Sequence, residues 1–154
     1  ALSAGEEALA LFNRLLLALD LSSHSEDLVE RVAEVCREDV DNLHVIHVIK
    51  QGMHDGALVN AESCDDSHAQ RQKDHTHIQV REMLLRHGLR VSSDKIYLLR
   101  GEPAYEIKKL AREIGADLVI VGSHNKDDDL FHLPGATTNC VIQGMPSDVM
   151  AVKV

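Results

Sequence analysis

The sequence predicts a single α/β domain, residues 1–154, with an open, doubly wound parallel sheet of five strands. Two observations carry this prediction: short, continuous apolar runs alternate with helical periods, and glycine, proline or polar residues separate them. A length of 154 residues suits one domain, since a domain takes about 100–200 residues. Strands that alternate with helices favour a parallel sheet, and right-handed crossovers then give the doubly wound form.

The first strand and the first helix are predicted close together. Leu15–Leu19 is a continuous apolar run, which is typical of a strand that is buried on both faces. Ser23 and Glu26 have the spacing of a capping box, so they predict that a helix begins there. The apolar residues that follow recur at the spacing of one helix face: Leu28, Val32, Val35 and Cys36.

The later elements follow the same alternation. Further strands are predicted at four apolar runs: residues 43–49, 95–99, 117–121 and 149–154. Further helices are predicted around residues 80–87 with Gly88 after the last turn, from Pro103 to a stop at Gly115, and from Ala136 to Gln143. Residues 51–67 contain two glycines and little periodicity, so they predict a long, mobile loop.

The charge balance argues against two classes of partner. The chain has 16 Lys and Arg against 25 Asp and Glu, which gives a formal net charge of −9. Because positive charge has to meet the phosphates of nucleic acids and of anionic lipids, we expect neither a nucleic acid nor a membrane as partner. Aromatic residues make up 3% of the chain with no Trp, which leaves little for stacking on bases.

The cysteines and the first residues of the sequence indicate the cytoplasm. The three cysteines are widely separated and form no Cys-x-x-Cys pair, so we expect buried thiols in a reducing compartment. The apolar run Leu15–Leu19 is far shorter than the roughly 20 residues of a membrane span. No signal peptide is expected, since Glu6 and Glu7 precede the first arginine.

Ligand chemistry in such a sheet is expected at the crevice beyond the carboxyl ends of the strands, where the strand order reverses. This rule directs attention to Asp20, Val48, Arg100–Gly101 and the segment after Gly122. Gly122 at a strand exit and Gly135 at a helix entrance would let the backbone approach a phosphate. On this spacing alone, an ordinary turn glycine and an ordinary N-cap glycine remain the alternative.

Segments over nearly the whole chain resemble the universal stress protein family. The most specific of them is residues 116–124, Ala-Asp-Leu-Val-Ile-Val-Gly-Ser-His. Three others resemble the family's first strand and helix start, its second strand and its third-strand exit: residues 16–26, 46–48 and 101–103. The resemblance implies a Rossmann-like, adenine nucleotide alpha hydrolase-like fold. It also implies a cytoplasmic stress-response protein that works as a homodimeric binding or signalling module.

The resemblance further implies a set of ligand-binding positions. Nucleotide-binding members of the family carry a loop with the pattern Gly-x2-Gly-x9-Gly-Ser/Thr, and this chain keeps its spacing. Asp20 and Val48 match the positions that hold the adenine and the ribose. The phosphate-binding positions are matched by Gly122, Asn125, Gly135, Ala136 and Thr137.

Two of these positions depart from the family's pattern. Asn125 replaces the second glycine and brings a side chain to where the backbone would meet a phosphate. Ala136 lacks the hydroxyl of Ser or Thr, and residues 127–129 add three negative charges to the loop. We therefore expect ATP or AMP to bind weakly or not at all, as in the branch typified by universal stress protein A. An ATP- or AMP-binding nucleotide switch, or a slow ATPase, in the same crevice remains the alternative.

Other sources of chemistry are less specific. Five potential metal ligands lie near one another in the sequence: His54, Cys64, His68, His75 and His77. We expect solvated histidines there rather than a metal site, because helical residues two apart point to different faces. A receiver domain would need an aspartate at the end of the third strand, where residues 98–101 are Leu-Leu-Arg-Gly. No residue stands out as a general base, so we expect a binding protein rather than an enzyme, with no catalytic residue.

The last predicted strand, residues 149–154, is apolar and runs to the end of this sequence. At the edge of a sheet, its backbone groups would be open to pairing with another copy of the chain. Members of the family that it resembles commonly dimerise through this strand. The resemblance therefore implies a two-fold homodimer with the two strands antiparallel across the interface, while the sequence does not identify any further protein partner.

Overall fold

The computed structural model describes residues 12–21, 23–36, 40–50, 66–123 and 144–153. Its strands are β1 (Leu15–Leu19), β2 (Leu43–Lys50), β3 (Ile96–Gly101), β4 (Leu118–Ser123) and β5 (Asp148–Lys153). Its helices are α1 (Ser25–Val35), α2 (Asp66–Arg86) and α3 (Pro103–Ile114). The strands are parallel and form one sheet in the order β3-β2-β1-β4-β5. The predicted α/β class with a five-stranded parallel sheet is confirmed.

Two apolar clusters, one on each face of the sheet, form the core. Alternate residues of β1 divide between them: Leu15, Leu17 and Leu19 belong to the first cluster, and Leu16 and Ala18 to the second. Helices α1 and α2 complete the first cluster, and α3 completes the second. All five residues of β1 are at most 2% exposed. The continuous apolar sequence of β1 follows from this burial on both faces.

The strand order reverses next to β1. From β1 the chain adds β2 and then β3 on one side, and it returns to the other side of β1 to add β4 and β5. Leu17 of β1 is paired with Ile120 of β4, and Leu19 is paired with His47 of β2. The carboxyl ends of β1 and β4 therefore border the switch point, where an open α/β sheet has its crevice.

The start of α1 differs from the predicted capping box. The helix begins at Ser25, and His24 occupies the N-cap position with φ −93° and ψ −6°. Within the described part of the chain, no side-chain hydrogen bond caps this end. The hydroxyl of Ser25 is bonded instead to Asp20. The capping box predicted for Ser23 and Glu26 is therefore wrong, because the turn after β1 decides where the helix begins.

Helix α2 is longer than its apolar period indicates. It begins at Asp66, so the last two residues of the loop predicted at 51–67 are helical. The described side chains of its first half are mostly exposed, and the regularly spaced buried residues begin only at Thr76, followed by Val80 and Leu84. A polar stretch of this kind leaves no apolar stripe from which a helix could be predicted. The rest of the predicted loop and the helix predicted from Ala136 to Gln143 lie outside the described residues.

Glycines end two helices as predicted. Gly88 has φ +81°, and the N–H of Leu89 donates to the carbonyl of Leu84 at 2.9 Å. Gly115 has φ +65° directly after α3. Glycine suits these left-handed positions because it has no Cβ. The strand boundaries differ from the predicted ones by only one or two residues.

Candidate functional site

Three of the predicted site residues lie at the carboxyl edge of the sheet. Asp20 follows the last residue of β1, Val48 lies near the end of β2, and Gly122 lies near the end of β4. The pairing of Leu19 with His47 brings Asp20 level with Val48. The β1–β4 register, continued toward the carboxyl end, brings Gly122 level with Leu19. The three predicted residues therefore flank the end of β1, beside the switch point.

The other predicted site residues lie outside the described residues. They are the positions assigned to phosphate binding beyond Gly122: Asn125, Gly135, Ala136 and Thr137. Their assignment stays a prediction from the sequence. The described part of the crevice is its strand-end side, which is built from the ends of β1, β2 and β4.

Val48 forms part of the floor of this edge. Its residue surface is 8% exposed, and its side chain belongs to the second apolar cluster, together with residues of α3. A ligand in the crevice would therefore meet mainly the backbone of Val48. Backbone N–H and carbonyl groups at a strand end can bond to the edge of a base without a charged side chain.

Asp20 is anchored by the first residue of α1. The Oγ of Ser25 donates to Oδ1 of Asp20 at 2.7 Å. Ser25 is 2% exposed, so its hydroxyl is removed from water and its bond to the carboxylate is charge-assisted. Asp20 itself is half-buried. The bond keeps the carboxylate at the end of β1, where it can accept hydrogen bonds from hydroxyl or amino groups of a ligand.

His47 contacts the end of β1 from the neighbouring strand. Its Nδ1 lies 2.8 Å from the carbonyl oxygen of Leu19. Burial lowers the pKa of His47 from its ordinary value of 6.5, and the Leu19 carbonyl and the Asp20 charge oppose that shift. The imidazole is therefore mainly neutral at pH 7. Because a carbonyl oxygen only accepts, the hydrogen of the neutral ring is assigned to Nδ1.

The turn between β1 and α1 contains a residue in a strained conformation. Leu21 has φ +57°, in the left-handed region that a leucine enters at a cost of about 1–2 kcal/mol. Its side chain is half-buried and packs against the first apolar cluster. Backbone strain of this kind persists only where the surrounding structure holds it, and it concentrates at binding sites.

Ser25, His47 and Leu21 are residues of this edge that sequence reasoning missed. From the sequence, Ser25 is predicted only as part of a helix start and His47 only as part of a strand. The available signal for His47 was a polar residue within an otherwise apolar strand. Leu21 carries no such signal, because a positive φ is usually marked by glycine or asparagine.

The described part of the chain gathers no set of potential metal ligands into a site. Across residues 12–21, 23–36, 40–50, 66–123 and 144–153, no group of three or more His, Cys, Asp or Glu side chains could hold a metal ion. His75 and His77 lie on α2, where residues two apart point to different faces. His68 also lies in α2, whereas His54 and Cys64 fall outside the described residues. None of the helices that are described could cross a membrane, because none is long and apolar enough.

A wide cleft lies at the opposite edge of the sheet. It has a volume of about 550 Å³ and is lined by residues at the amino ends of β1, β4 and β5: Phe12, Ala116, Asp117, Met145, Pro146, Ser147 and Asp148. Open α/β sheets bind ligands at the carboxyl ends of their strands. The carboxyl edge, and not this cleft, is therefore the candidate functional site.

Comparison with known proteins agrees with the fold. Residues 11–153 match the Universal stress protein family. The chain belongs to the universal stress protein family. A curated relative, "Universal stress protein A homolog 1" of Coxiella burnetii (strain RSA 493 / Nine Mile phase I), is 28% identical, and the match covers 92% of this chain and 96% of the relative. The family membership predicted from the sequence is confirmed.

Solved structures of universal stress proteins share the fold of this family member. The universal stress protein UspA from Lactobacillus plantarum has a TM-score of 0.61 and 20% identity, over 91% of this chain and 97% of that chain. The universal stress protein from Archaeoglobus fulgidus, solved in complex with dAMP, has a TM-score of 0.57 and 19% identity, over 91% of this chain and 97% of that chain. At these identities the likeness establishes the fold alone.

Proposed function

We propose that this universal stress protein is a stress-response binding module whose crevice holds an adenine nucleotide mainly through its nucleoside. The observation that supports the proposal is the position of Asp20 at the switch point, where Ser25 holds its carboxylate at 2.7 Å. A family member of the same fold was solved with dAMP. The protein acts by binding rather than by catalysis.

The nucleoside side of the crevice is assigned to the strand ends. The Asp20 carboxylate accepts hydrogen bonds from hydroxyl or amino groups, and the backbone of Val48 meets the edge of the base. Gly122 leads from β4 toward the phosphates. The remaining phosphate positions keep the assignment made from the sequence: Asn125, Gly135, Ala136 and Thr137.

The phosphate side favours AMP over ATP. Residues 127–129 are three aspartates within the loop that would pass a polyphosphate, and the chain carries a net charge of −9. Each close pair of exposed like charges in water costs about 1 kcal/mol. Because ATP brings more negative charge than AMP to this loop, we expect AMP to bind more tightly at low ionic strength, and added salt to narrow the difference.

Isothermal titration calorimetry with AMP, ATP and GMP tests the proposal. Asp20→Asn keeps an acceptor for Ser25 but removes the charge, so AMP affinity is expected to fall about tenfold, which corresponds to about 1.4 kcal/mol. Asp94→Asn is the matched control, because Asp94 is exposed near the amino end of β3. The proposal is wrong if about 1 mM AMP shows no binding to the unaltered protein, or if the two variants weaken AMP equally.

The alternative of a slow ATPase or nucleotide switch predicts a different result. An ATPase releases phosphate from ATP in proportion to protein concentration, and Asp20→Asn, but not Asp94→Asn, would reduce that release. A binding module releases none above the background of ATP alone. Phosphate release that follows this pattern would replace the binding proposal with the enzymatic one.

We also propose a cytoplasmic homodimer that pairs through β5. Among the described residues, β5 is the last strand on its side of the sheet. The N–H of Asp148 donates to the carbonyl of Asp117 at 3.3 Å, so this backbone group faces β4. Because successive backbone groups of a strand point to alternate sides, the N–H groups of Val149, Ala151 and Lys153 face away from β4. These groups supply the hydrogen bonds for a second copy of the chain.

A further inference from the structure

Helix α2 exposes apolar side chains along its outward side. Three large hydrophobic residues are exposed in the described part of the chain, and two of them lie on α2: Ile78 at 54% and Leu85 at 46%. They are seven residues apart, so they lie on nearly the same line along the helix. An exposed apolar line on a helix, unlike a single exposed residue, is typical of a contact surface.

This apolar line faces away from the core. Val80 and Leu84 are buried residues of the same stretch of helix and belong to the first apolar cluster. At 3.6 residues per turn, Ile78 lies about 160° and Leu85 about 140° around the helix from Val80. The line is therefore open to a partner that approaches from outside the domain.

Polar side chains flank Ile78 in a regular pattern. Asp74 and Arg81 lie on one side of it, and His75 and Glu82 lie on the other, all within about 60° around the helix. All four are exposed. Each flank therefore has one acidic residue and one residue that can donate a hydrogen bond to it. On each flank, one of the two comes before Ile78 and the other comes after it.

A second copy of the same helix complements this pattern when it packs antiparallel. With a two-fold axis at Ile78, residues equally far before and after Ile78 lie level, and each flank faces the same flank of the other copy. Arg81 then lies within about 1.5 Å, measured along the helix axis, of the level of Asp74 of the second copy. Glu82 is equally close in level to His75 of the second copy. The two-fold axis repeats both contacts, so complementary side chains flank Ile78 on both sides.

Arg71 favours the antiparallel arrangement over a parallel one. It is exposed and lies seven residues before Ile78, on the same line along the helix. In antiparallel packing it lies level with Leu85 of the second copy, where its aliphatic stem can cover the apolar side chain. In parallel packing the two Arg71 side chains would lie next to each other, and the two helix dipoles would be aligned. Both effects oppose the parallel arrangement.

We propose that α2 is a self-association surface, on which the α2 helix of a second copy packs antiparallel about Ile78. The chain has a net charge of −9, but α2 is nearly neutral and adds little to the repulsion between copies. Its basic and acidic residues are Arg71, Lys73, Arg81 and Arg86 against Asp66, Asp74 and Glu82. A single pair of helices buries less than the roughly 1,200 Å² of a stable interface, so the association is weak and reversible.

This contact is separate from the proposed β5 pairing and from the nucleotide crevice. Helix α2 packs against β3, which is at the opposite side of the sheet from β5. Both contacts can therefore form in one assembly, in which α2 joins two β5 pairs. The proposal does not depend on the proposed function.

Disulfide trapping tests the position of the two-fold axis. The two thiols of Ile78→Cys would face each other across the axis, whereas those of Leu85→Cys would be about 21 Å apart along the helices. With oxidised glutathione, we expect Ile78→Cys to form a covalent dimer at least about tenfold faster than Leu85→Cys. Denaturing electrophoresis without reductant reads the result, because it separates copies that only β5 holds together. The unaltered protein gives the background from its own cysteines.

Charge variants in the Ile78→Cys background test the flanking contacts. Asp74→Arg would face Arg81 of the second copy, and Arg81→Asp would face Asp74, so each should slow the trapping about fivefold. The two changes combined restore opposite charges and should return the rate to within about twofold. Glu113→Arg and Arg112→Asp are the matched controls, because they make the same charge changes at exposed positions of α3. Neither control should slow the trapping.

Both experiments have to agree. The proposal is supported if Ile78→Cys is trapped selectively and if the combined exchange of Asp74 and Arg81 recovers the rate that each single change lowers. Equal trapping of Ile78→Cys and Leu85→Cys, or no trapping above the background at about 1 mM protein, overturns it. So does a combined variant whose rate equals that of the single variants. A direct effect on the thiol cannot imitate the expected result, because the two single variants change the nearby charge in opposite directions. The outcome is the same whether or not the protein binds a nucleotide.

Discussion

Oδ1 of Asp20 accepts a 2.7 Å hydrogen bond from the hydroxyl of Ser25, which ties the end of β1 to the first residue of α1. Among the described residues, Ser25 is one of two buried polar residues, at 2% exposure. A buried hydroxyl needs a partner, and here the partner is a charged group at the candidate binding edge. The same bond therefore holds the first residue of α1 in place and holds the carboxylate at the candidate binding edge.

Loss of the Ser25–Asp20 bond should lower the free energy of unfolding, whereas loss of the hydroxyl of Ser23, the predicted cap, should hardly change it. Ser25→Ala removes a buried donor to a carboxylate, so the free energy of unfolding should fall by about 1–2 kcal/mol. Ser23→Ala changes an exposed residue of the turn and should stay within about 0.5 kcal/mol. Urea denaturation measures both. A larger loss for Ser23→Ala than for Ser25→Ala would restore the capping box and contradict the structure.

The left-handed backbone at Leu21 predicts that a glycine variant is more stable there than an alanine variant, the reverse of their order within a helix. Both Leu21→Gly and Leu21→Ala lose the packing of the leucine against the core, but only glycine removes the strain of φ +57°. Leu21→Gly should therefore be more stable than Leu21→Ala by about 1 kcal/mol. At the exposed Lys109 of α3 the same pair should show the opposite order by about 1 kcal/mol. Thermal unfolding of the four variants checks this, and the same order at both sites would argue against a left-handed Leu21.

Proline at the outward side of β5 should prevent the proposed dimer without opening the sheet. The N–H of Ala151 faces away from β4 by the alternation set at Asp148, and proline is tolerated at such edge positions. Ala151→Pro should therefore elute as a monomer, whereas Ala151→Thr, which keeps the N–H, should remain dimeric. Size-exclusion chromatography with light scattering distinguishes the two. A dimer that persists in a folded Ala151→Pro variant would mean that the protein does not pair through this edge.

Two partly buried histidines predict that mild acid lowers stability. Burial, followed by Lys95 and Arg14, lowers the pKa of His44, and burial lowers that of His47. The unfolded chain binds protons at these sites first, near pH 6.5. Their contribution to stability is therefore present above about pH 6.5 and is lost as the pH falls from there through the lowered pKa values of the folded state.

Histidine variants separate the contribution of these two histidines to the pH dependence of unfolding from the contribution of the carboxylates. Between pH 7.5 and 5.5, the free energy of unfolding should fall less in His44→Asn and in His47→Asn than in the unaltered protein. His75→Asn, at an exposed position of α2, should follow the unaltered protein. Urea denaturation at a series of pH values gives these slopes, and identical slopes in all four proteins would contradict the prediction.

Most of the described strands and helices could be predicted from local sequence patterns, because the physical causes of these elements are themselves local. β1 could be predicted from Leu15–Leu19 because burial on both faces demands an unbroken apolar run. The ends of α2 and α3 could be predicted because Gly88 and Gly115 adopt conformations that few other residues tolerate. The start of α2 escaped prediction, since the polar sequence of its first turns carries no apolar stripe.

The sequence by itself determined the α/β class, the family and the three strand-end positions Asp20, Val48 and Gly122. Only the tertiary structure decided that Ser25 bonds Asp20 where a Ser23–Glu26 capping box was predicted, and that His47 reaches the Leu19 carbonyl from 28 residues away. The contact between His47 and Leu19 depends on which strands are neighbours and in what register they pair. Local periodicity specifies neither the neighbouring strand nor the register. It indicates which face of an element is buried, but not which residue lies opposite that face.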